Sequence, residues 1–148
     1  MNIYKLAPHD TQAFTALIRI FKAVFAVNGP MPEPRYLHGL LSKPDFKVFV
    51  VTEAGEVVGG LTIYVLHHYY ETRPIAFIYD VGIAEAFQRK GYGKALMTHV
   101  RKYCREAGFA ELFVEAEADD ADAIEFYRRT RPGREMAAIQ FSYELPYL

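Results

Sequence analysis

The segment with the clearest chemistry is short, basic and rich in glycine: Gln88-Arg89-Lys90-Gly91-Tyr92-Gly93. It lies between an apolar run, residues 75–83, and residues 94–107, where apolar side chains recur at helical spacing. A helix start offers unpaired backbone N–H groups and a partial positive charge, and glycines let a bulky anion approach them closely. Two basic residues within the segment and Lys94 just after it add positive charge. The pattern therefore predicts a phosphate or pyrophosphate site.

Two common phosphate-binding motifs do not fit this spacing. A P-loop requires Gly-x-x-x-x-Gly-Lys-[Ser/Thr], and Gly93-Lys94-Ala95 lacks both the first glycine and the hydroxyl. A dinucleotide fold requires a further glycine three residues after Gly93, where this chain has Leu96. The remaining pattern is Gln-x-x-Gly-x-Gly, and its alternative interpretation is an ordinary basic turn between a strand and a helix.

Carboxylates form a second group of candidates. Asp80 stands in an otherwise apolar run, where a carboxylate must be paired, face a ligand or turn to solvent. Glu115 and Glu117 are two residues apart and are expected to share one face of a strand. With Asp119, Asp120 and Asp122 they form an acidic cluster that would attract a polycationic substrate. A solvated strand end followed by a helix N-terminus explains the same cluster equally well.

The elements that must position these residues follow the order β-α-α-β-β-β-α-β-α-β. Alternating and β-branched runs predict strands at residues 2–6, 46–52, 57–66, 75–83, 110–116 and 136–145. Helical spacing predicts a helix from residue 10 or 11, and helices at 36–41, 94–107 and 119–129. The strongest antiparallel signal is the hairpin around residues 53–56.

Composition limits the protein class. At 148 residues and 51% hydrophobic residues, the chain is expected to form one domain, 1–148. A net charge of −1 leaves no broad basic surface for nucleic acid or membrane. One cysteine, no long apolar run and no signal-peptide pattern point to the cytoplasm. The 11 Tyr and 11 Phe residues make a homodimer plausible.

The glycine segment resembles the acetyl-CoA loop of the GCN5-related N-acetyltransferases (GNAT), and the element order resembles theirs along nearly the whole chain. Within that family, Val58-Gly59-Gly60-Leu61, Ile78-Tyr79-Asp80-Val81 and Val114-Glu115-Ala116-Glu117 look like the corresponding motifs of the type I aminoglycoside 3-N-acetyltransferases. The resemblance implies an α/β fold with a twisted mixed sheet of six to seven strands and about four helices. One departure is that glycine follows Tyr127 only at Gly133, which puts the turn after the last helix in doubt.

The resemblance also implies roles for individual residues. Acetyl-CoA would be the cofactor, its pantetheine arm held by the backbone of Val81, Gly82 and Ile83 and its pyrophosphate by Gln88, Arg89, Lys90, Gly91, Tyr92, Gly93 and Lys94. Tyr127 would be the general acid for the leaving thiolate, although a core aromatic residue is the alternative. Asp80 and Glu117 are the candidate bases, and the acceptor would be bound by Asp80, Glu115, Glu117 and Asp120. Gly82 has a second interpretation as a simple β-bulge.

The main functional hypothesis is therefore transfer of an acetyl group to a small polycationic amine, in particular an aminoglycoside at its 3-N position. A polyamine, an amino acid or a protein amine is the alternative acceptor, and a non-catalytic acyl-CoA-binding module is the alternative class. Adjacent His67 and His68 lack further ligands at metal spacing, so no metal is expected. Cys104 lies on a helical apolar face and is expected in the core.

Overall fold

The computed structural model describes residues 1–147, which form two compact units, Met1–Glu115 and a second unit that begins at Ala116. The first unit contains nearly all of the regular structure. Its elements are β1 (Asn2–Lys5), α1 (Thr11–Val24), α2 (Pro34–Leu41), β2 (Phe46–Glu53), β3 (Glu56–Leu66), β4 (Ile75–Ile83), a 3₁₀ turn (Glu85–Phe87), α3 (Tyr92–Glu106) and β5 (Glu111–Val114). The second unit contains α4 (Ala121–Arg129). No helix in the described part of the chain is long and apolar enough to cross a membrane.

The five strands form one sheet in the order β1-β2-β3-β4-β5. The first four pair antiparallel, and β5 pairs parallel with β4. The predicted hairpin is confirmed: β2 and β3 meet at Ala54 and Gly55, whose φ angles of 51° and 81° fit the positive φ that two-residue hairpin turns require.

Helices cover the sheet on both faces. Side chains alternate along β2, so that Val48 and Val50 join a core with α1 and α2, whereas Phe49 packs its ring 5.0 Å from that of Tyr103 on α3. The predicted apolar face of α3 is also confirmed, because Leu96, Met97, Val100 and Cys104 are all buried. The glycine segment between β4 and α3 is thereby anchored at both ends by buried elements.

The predicted sheet of six to seven strands is wrong: the described residues form five. The missing strand is the predicted one at residues 136–145, which contain neither helix nor strand. Its alternating apolar pattern is typical of a sheet face, but a strand also needs a hydrogen-bonded neighbour, and residues 1–147 provide none for it. The four α-helices agree with the expected number, and other predicted bounds differ by a few residues.

Candidate functional site

The glycine segment adopts the geometry that an anion site requires. Gly91 is the N-cap of α3 with a φ of +90°, a left-handed conformation that favours glycine. A Cβ added there would meet nothing within 4 Å, so the space in front of the helix start is open. The first helical hydrogen bond runs from the Ala95 N–H to the Gly91 carbonyl, at 3.0 Å. The amides before Ala95 are the N–H groups that a helix start leaves without intrahelical partners.

Positive charge surrounds this helix start. Arg89, Lys90 and Lys94 are exposed, and the ammonium group of Lys90 lies 5.9 Å from the centre of the Phe87 ring. A groove of about 480 Å³ runs along α3 and is lined by Gly91, Lys94 and Lys102 among others. An anion at the helix start would therefore meet backbone N–H groups and exposed cationic side chains together.

Two polar residues of the segment hold it in place through side-chain hydrogen bonds. The Gln88 amide donates to the Ile83 carbonyl at 2.9 Å, which ties the segment to the end of β4. The Tyr92 hydroxyl donates to Glu53 at 3.0 Å, which ties the start of α3 to the end of β2. The N-terminal amine and the Tyr92 hydroxyl both lower the pKa of Glu53.

Residues 79–83 of β4 leave one strand edge open within the first unit. Strand β5 pairs only with Ile75 to Ile78, although β4 continues to Ile83. On the other side β3 stays paired with β4, and the Ala84 N–H donates to the Val58 carbonyl. Backbone groups point to alternate sides along a strand, so Val81 and Ile83 direct their N–H and C=O groups away from β3. This edge can accept an extended polar ligand in the way that it would accept a further strand.

Gly82 is required by packing. It pairs regularly with Gly60, so the β-bulge lies elsewhere, where Tyr79 and Asp80 stand opposite Thr62. A Cβ at Gly82 would lie 2.9 Å from Cδ1 of Phe21, on α1. A Cβ at Gly60 would collide with the Phe49 carbonyl oxygen, a backbone atom. On this face, α1 occupies the space that a side chain at Gly82 would fill.

Asp80 sits at the bulge and is half-buried. Its backbone N–H donates to the Thr62 hydroxyl at 3.3 Å. Burial raises the pKa of its carboxyl above the ordinary value. A carboxylate with a raised pKa is a stronger base than a fully solvated one, and it also attracts an ammonium group.

Three tyrosines, Tyr36, Tyr64 and Tyr79, form a group around Tyr64, which also interacts with Asp80, and reasoning from sequence did not single them out. The rings of Tyr64 and Tyr79 meet edge to face at 5.6 Å. The pKa of Tyr64 is raised mainly by burial. The negative charges that Tyr79, Tyr36 and Asp80 can carry raise it further. Tyr36, Tyr64 and Tyr79 are nonetheless 61%, 42% and 61% exposed, so all three rings are accessible to solvent. An exposed tyrosine that interrupts an apolar strand, as Tyr64 does, is the signal that could have revealed them.

The remaining predicted residues belong to two different compact units. Glu115 is exposed at the end of the first unit, and Glu117 and Asp120 are exposed in the second. The prediction that Glu115 and Glu117 share a strand face is wrong, because β5 ends at Val114 and neither residue belongs to a strand. Asp120 is the N-cap of α4 and accepts a hydrogen bond from the Ala123 N–H at 3.1 Å.

Tyr127 lies on α4 and is half-buried. Its ring centre lies 5.2 Å from that of Phe126 at an interplanar angle of 71°, and its carbonyl accepts a hydrogen bond from the Thr130 hydroxyl.

Other candidates have structural surroundings. Cys104 is buried, and burial raises the pKa of its thiol to about 11, far from the reactive thiolate form. His67 lies 3.0 Å from Asp45, a single carboxylate partner. Among residues 1–147, no three His, Cys, Asp or Glu side chains are grouped so that they could hold a metal ion.

Comparison with known proteins identifies the fold and the family. The sequence profile of the Acetyltransferase (GNAT) family matches residues 14–131. The chain belongs to the GNAT family. It is therefore an acetyl-CoA-dependent N-acetyltransferase, and the open helix start, the exposed cations and the free edge of β4 fit that cofactor.

The GNAT chain also resembles solved aminoglycoside acetyltransferases. It is 41% identical to meta-AAC0020 from an uncultured soil metagenomic sample in complex with sisomicin, with a TM-score of 0.95 and coverage of 98% of this chain and 96% of that one. The same enzyme in complex with trehalose gives 42% identity, a TM-score of 0.95 and the same coverage. Aminoglycoside N-acetyltransferase AAC(6')-Iy in complex with CoA, at 13% identity and a TM-score of 0.80 over 97% of this chain and 95% of that one, shares the fold. No curated protein matches the sequence.

Proposed function

We propose that this GNAT enzyme acetylates an aminoglycoside, at the 3-N position. The observation that carries the acceptor class is the 41% identity over 98% of the chain to an aminoglycoside acetyltransferase crystallised with sisomicin. The position on the acceptor is supported by the motifs Val58-Gly59-Gly60-Leu61 and Ile78-Tyr79-Asp80-Val81, which resemble those of the 3-N-acetyltransferases.

Acetyl-CoA supplies the activated acetyl thioester. Its pyrophosphate is held by the N–H groups of Gly91, Tyr92, Gly93 and Lys94 and by the side chains of Arg89 and Lys90, with Gln88 bracing the segment. Val81 and Ile83 bind the pantetheine arm through backbone groups along the open edge of β4. Gly82 contributes by letting β4 pack closely against α1. The support is the geometry of the helix start and the fact that β5 pairs with β4 only as far as Ile78.

Asp80 has the chemistry of the general base or of an ammonium anchor. Its raised pKa and its half-buried position suit removal of a proton from the acceptor amine. Glu117 is the second candidate for the base. The rings of Tyr36, Tyr64 and Tyr79 can face the apolar surfaces of an amino sugar and its ammonium groups, because aromatic faces attract cations.

Tyr127 is proposed as the general acid that donates a proton to the sulfur atom as the acetyl group leaves. The support is the resemblance to GNAT enzymes together with the phenol hydroxyl, which can donate a proton. The acidic residues Glu115, Glu117 and Asp120 are proposed to attract the positive charge of the acceptor.

We also propose one functional domain over residues 1–148, because the family profile extends across both compact units. A homodimer and a cytoplasmic location are parts of the same proposal. The exposed aromatic residues support the first, and the single cysteine supports the second.

The acceptor proposal is tested by measuring free-thiol release from acetyl-CoA with a panel of aminoglycosides, spermidine and a lysine peptide. The expected result is that kcat/KM is highest for aminoglycosides that carry a free 3-amine, with the acetyl group found on that nitrogen by NMR. Faster turnover with spermidine or the peptide would contradict the aminoglycoside acceptor and leave the acetyltransferase activity intact. Acetylation at another amine of the same drug would contradict only the position.

A further inference from the structure

The hydrogen bond between Tyr92 and Glu53 joins the start of α3 to the sheet. Tyr92 is the first residue of α3 and follows the N-cap, Gly91. Its hydroxyl donates to Oε2 of Glu53 at 3.0 Å, although the two residues are 39 positions apart in the chain. The backbone N–H of Tyr92 is one of the groups that a helix start leaves without an intrahelical partner. One residue therefore connects a strand, through its side chain, with the proposed pyrophosphate site, through its backbone.

Glu53 is well placed to fix the position of that hydroxyl. It is the last residue of β2, its backbone pairs with Glu56 in the hairpin, and residues 48–52 before it are buried. Oε2 of Glu53 also lies 3.1 Å from the N-terminal amine of Met1, a cation that offsets its negative charge. A carboxylate on a buried strand holds its partner more accurately than one on a loop.

A second contact holds the ring of Tyr92. This ring meets the ring of Phe87 edge to face, with centres 5.6 Å apart and an interplanar angle of 88°. Phe87 ends the 3₁₀ turn that precedes the glycine segment. Between Phe87 and Tyr92, Arg89 has a φ of +60°, a left-handed conformation that is uncommon for a residue with a Cβ. Such a backbone persists only where its surroundings fix it, and the two contacts of Tyr92 supply part of that restraint.

We propose that Glu53 is a positioning residue for acetyl-CoA, which holds the first turn of α3, through the Tyr92 hydroxyl, in the conformation that receives the pyrophosphate. The inference rests on the proposed placement of the pyrophosphate at this helix start. A segment that is already ordered in its bound conformation binds more tightly, because less conformational entropy is lost on binding. The negative charge of Glu53 acts in the opposite direction, because it repels a phosphate. Positioning and charge therefore predict opposite effects when Glu53 is removed.

The test measures the Kd of acetyl-CoA by isothermal titration calorimetry on the full chain. Tyr92→Phe keeps the ring and its contact with Phe87 but removes the hydroxyl, and Glu53→Ala removes the acceptor. Each should raise Kd by about 10-fold, the effect of one lost hydrogen bond to a charged group. The double variant should raise Kd no further, because both changes break the same bond.

Two further variants serve as controls. Glu53→Gln keeps an acceptor oxygen for the Tyr92 hydroxyl, so it should retain most of the wild-type affinity. Tyr103→Phe removes a hydroxyl from the same helix at a distance in sequence from the glycine segment, and it should leave Kd unchanged.

A comparison of kcat with KM separates positioning from a general loss of stability. In Tyr92→Phe the KM for acetyl-CoA should rise while kcat at saturating acetyl-CoA stays unchanged, because the groups that carry out the transfer are not altered. Urea denaturation without ligand measures stability separately. An unchanged Kd with a loss of stability alone, independent effects in the double variant, or tighter binding in Glu53→Ala would each overturn the role of Glu53.

Gly91→Glu, measured alongside, distinguishes this role from the placement of the cofactor. If Gly91→Glu abolishes binding and Tyr92→Phe binds as the wild type does, the placement stands and the role of Glu53 fails. If Gly91→Glu binds acetyl-CoA normally, the placement and the role of Glu53 both fail.

Discussion

The two compact units of this enzyme are stabilised in different ways. The first unit, Met1–Glu115, contains the five-stranded sheet and every buried apolar side chain of the described chain, on both strands and helices. In the second, which begins at Ala116, no side chain up to Tyr147 is buried, although α4 is amphipathic and apolar residues alternate from residue 139 onward. The contrast indicates that the first unit contains its own apolar core, whereas α4 by itself buries no side chain completely.

The largest expected effect is on stability and tests this contrast directly. Phe49→Ala removes a ring that is 1% exposed and packs against Tyr103, so it should lower the free energy of unfolding by about 3–5 kcal/mol. Phe126→Ala, on α4, removes a half-buried ring and should cost about 1 kcal/mol or less. Urea denaturation of both variants measures the difference. Equal losses would mean that α4 is packed as firmly as the sheet, and the contrast would fail.

The next effect concerns the helix start. Acetyl-CoA at 100 times its dissociation constant should stabilise the wild-type protein by about 2.7 kcal/mol, and Gly91→Glu should abolish this gain because it places a carboxylate where the pyrophosphate binds. Gly108→Glu is the matched control: Gly108 also has a positive φ, +83°, and open space, but it follows the C-terminal end of the same helix. Thermal shifts with and without acetyl-CoA compare the two. Retained stabilisation in Gly91→Glu would contradict the cofactor placement.

For the second unit, the sharpest test is Tyr127→Phe, which removes only the hydroxyl. If Tyr127 protonates the departing sulfur, kcat should fall by about 10²-fold or more while acetyl-CoA affinity changes little. Tyr103→Phe, on α3, removes a hydroxyl from a residue that has no proposed catalytic role and should leave kcat unchanged. Single-turnover kinetics measures the chemical step. An unaltered rate for Tyr127→Phe would assign Tyr127 to packing alone.

A smaller effect is expected in the pH dependence. Burial raises the pKa of Asp80, so a base at this position is active only above that raised pKa, and the acidic limb of the kcat/KM profile should lie above the ordinary Asp value of about 3.9. Asp80→Asn should remove this limb, whereas Asp119→Asn should keep it. An acidic limb that remains in Asp80→Asn would contradict Asp80 as the base and favour Glu117.

The raised pKa of Asp80 also affects stability, and this effect weakens as pH rises whereas activity as a base increases. Because the folded protein binds the Asp80 proton more tightly than the unfolded chain does, its contribution to stability is present at low pH and is lost as pH rises through the raised pKa. Asp80→Asn should therefore be at least as stable as the wild type at neutral pH. A clear loss of stability in denaturant would indicate that the carboxylate has a favourable partner.

The smallest effect is expected for the acidic residues. Exposed charges are screened over about 8 Å at physiological ionic strength, so the acceptor KM should rise with salt, and Glu117→Gln should raise it a few-fold and flatten that rise. Acetyl-CoA KM should not respond to Glu117→Gln. Steady-state kinetics at several salt concentrations provides the measurement. An acceptor KM that does not change with salt would contradict an electrostatic role for these acidic residues.

Sequence predicts the first unit well because its signals are local. The β2–β3 hairpin follows from alternation and a glycine turn, and the anion site follows from residues adjacent in the chain. The bulge at Tyr79 and Asp80, and the tyrosines beside it, could not be predicted in the same way. They depend on the register between β3 and β4, which places Tyr64 of one strand beside Tyr79 of the other.

The strand predicted at residues 136–145, which is absent, shows a second limit of prediction from sequence. Alternation reports which side of a strand is apolar, but not which strand lies next to it. The prediction that Glu115 and Glu117 share one strand face is wrong for a related reason. Residues two apart lie on the same face only while the strand continues, and β5 ends at Val114.

The packing of Phe21 over Gly82 has a consequence for how this sheet can diverge. The obstacle to a side chain at Gly82 is a ring on α1, whereas the obstacle at Gly60 is the Phe49 carbonyl oxygen. A ring can be exchanged for a smaller side chain, but a carbonyl cannot be removed. Position 82 should therefore accept alanine when position 21 changes at the same time, so the two positions evolve as a pair, while position 60 stays glycine in any variant that keeps this sheet.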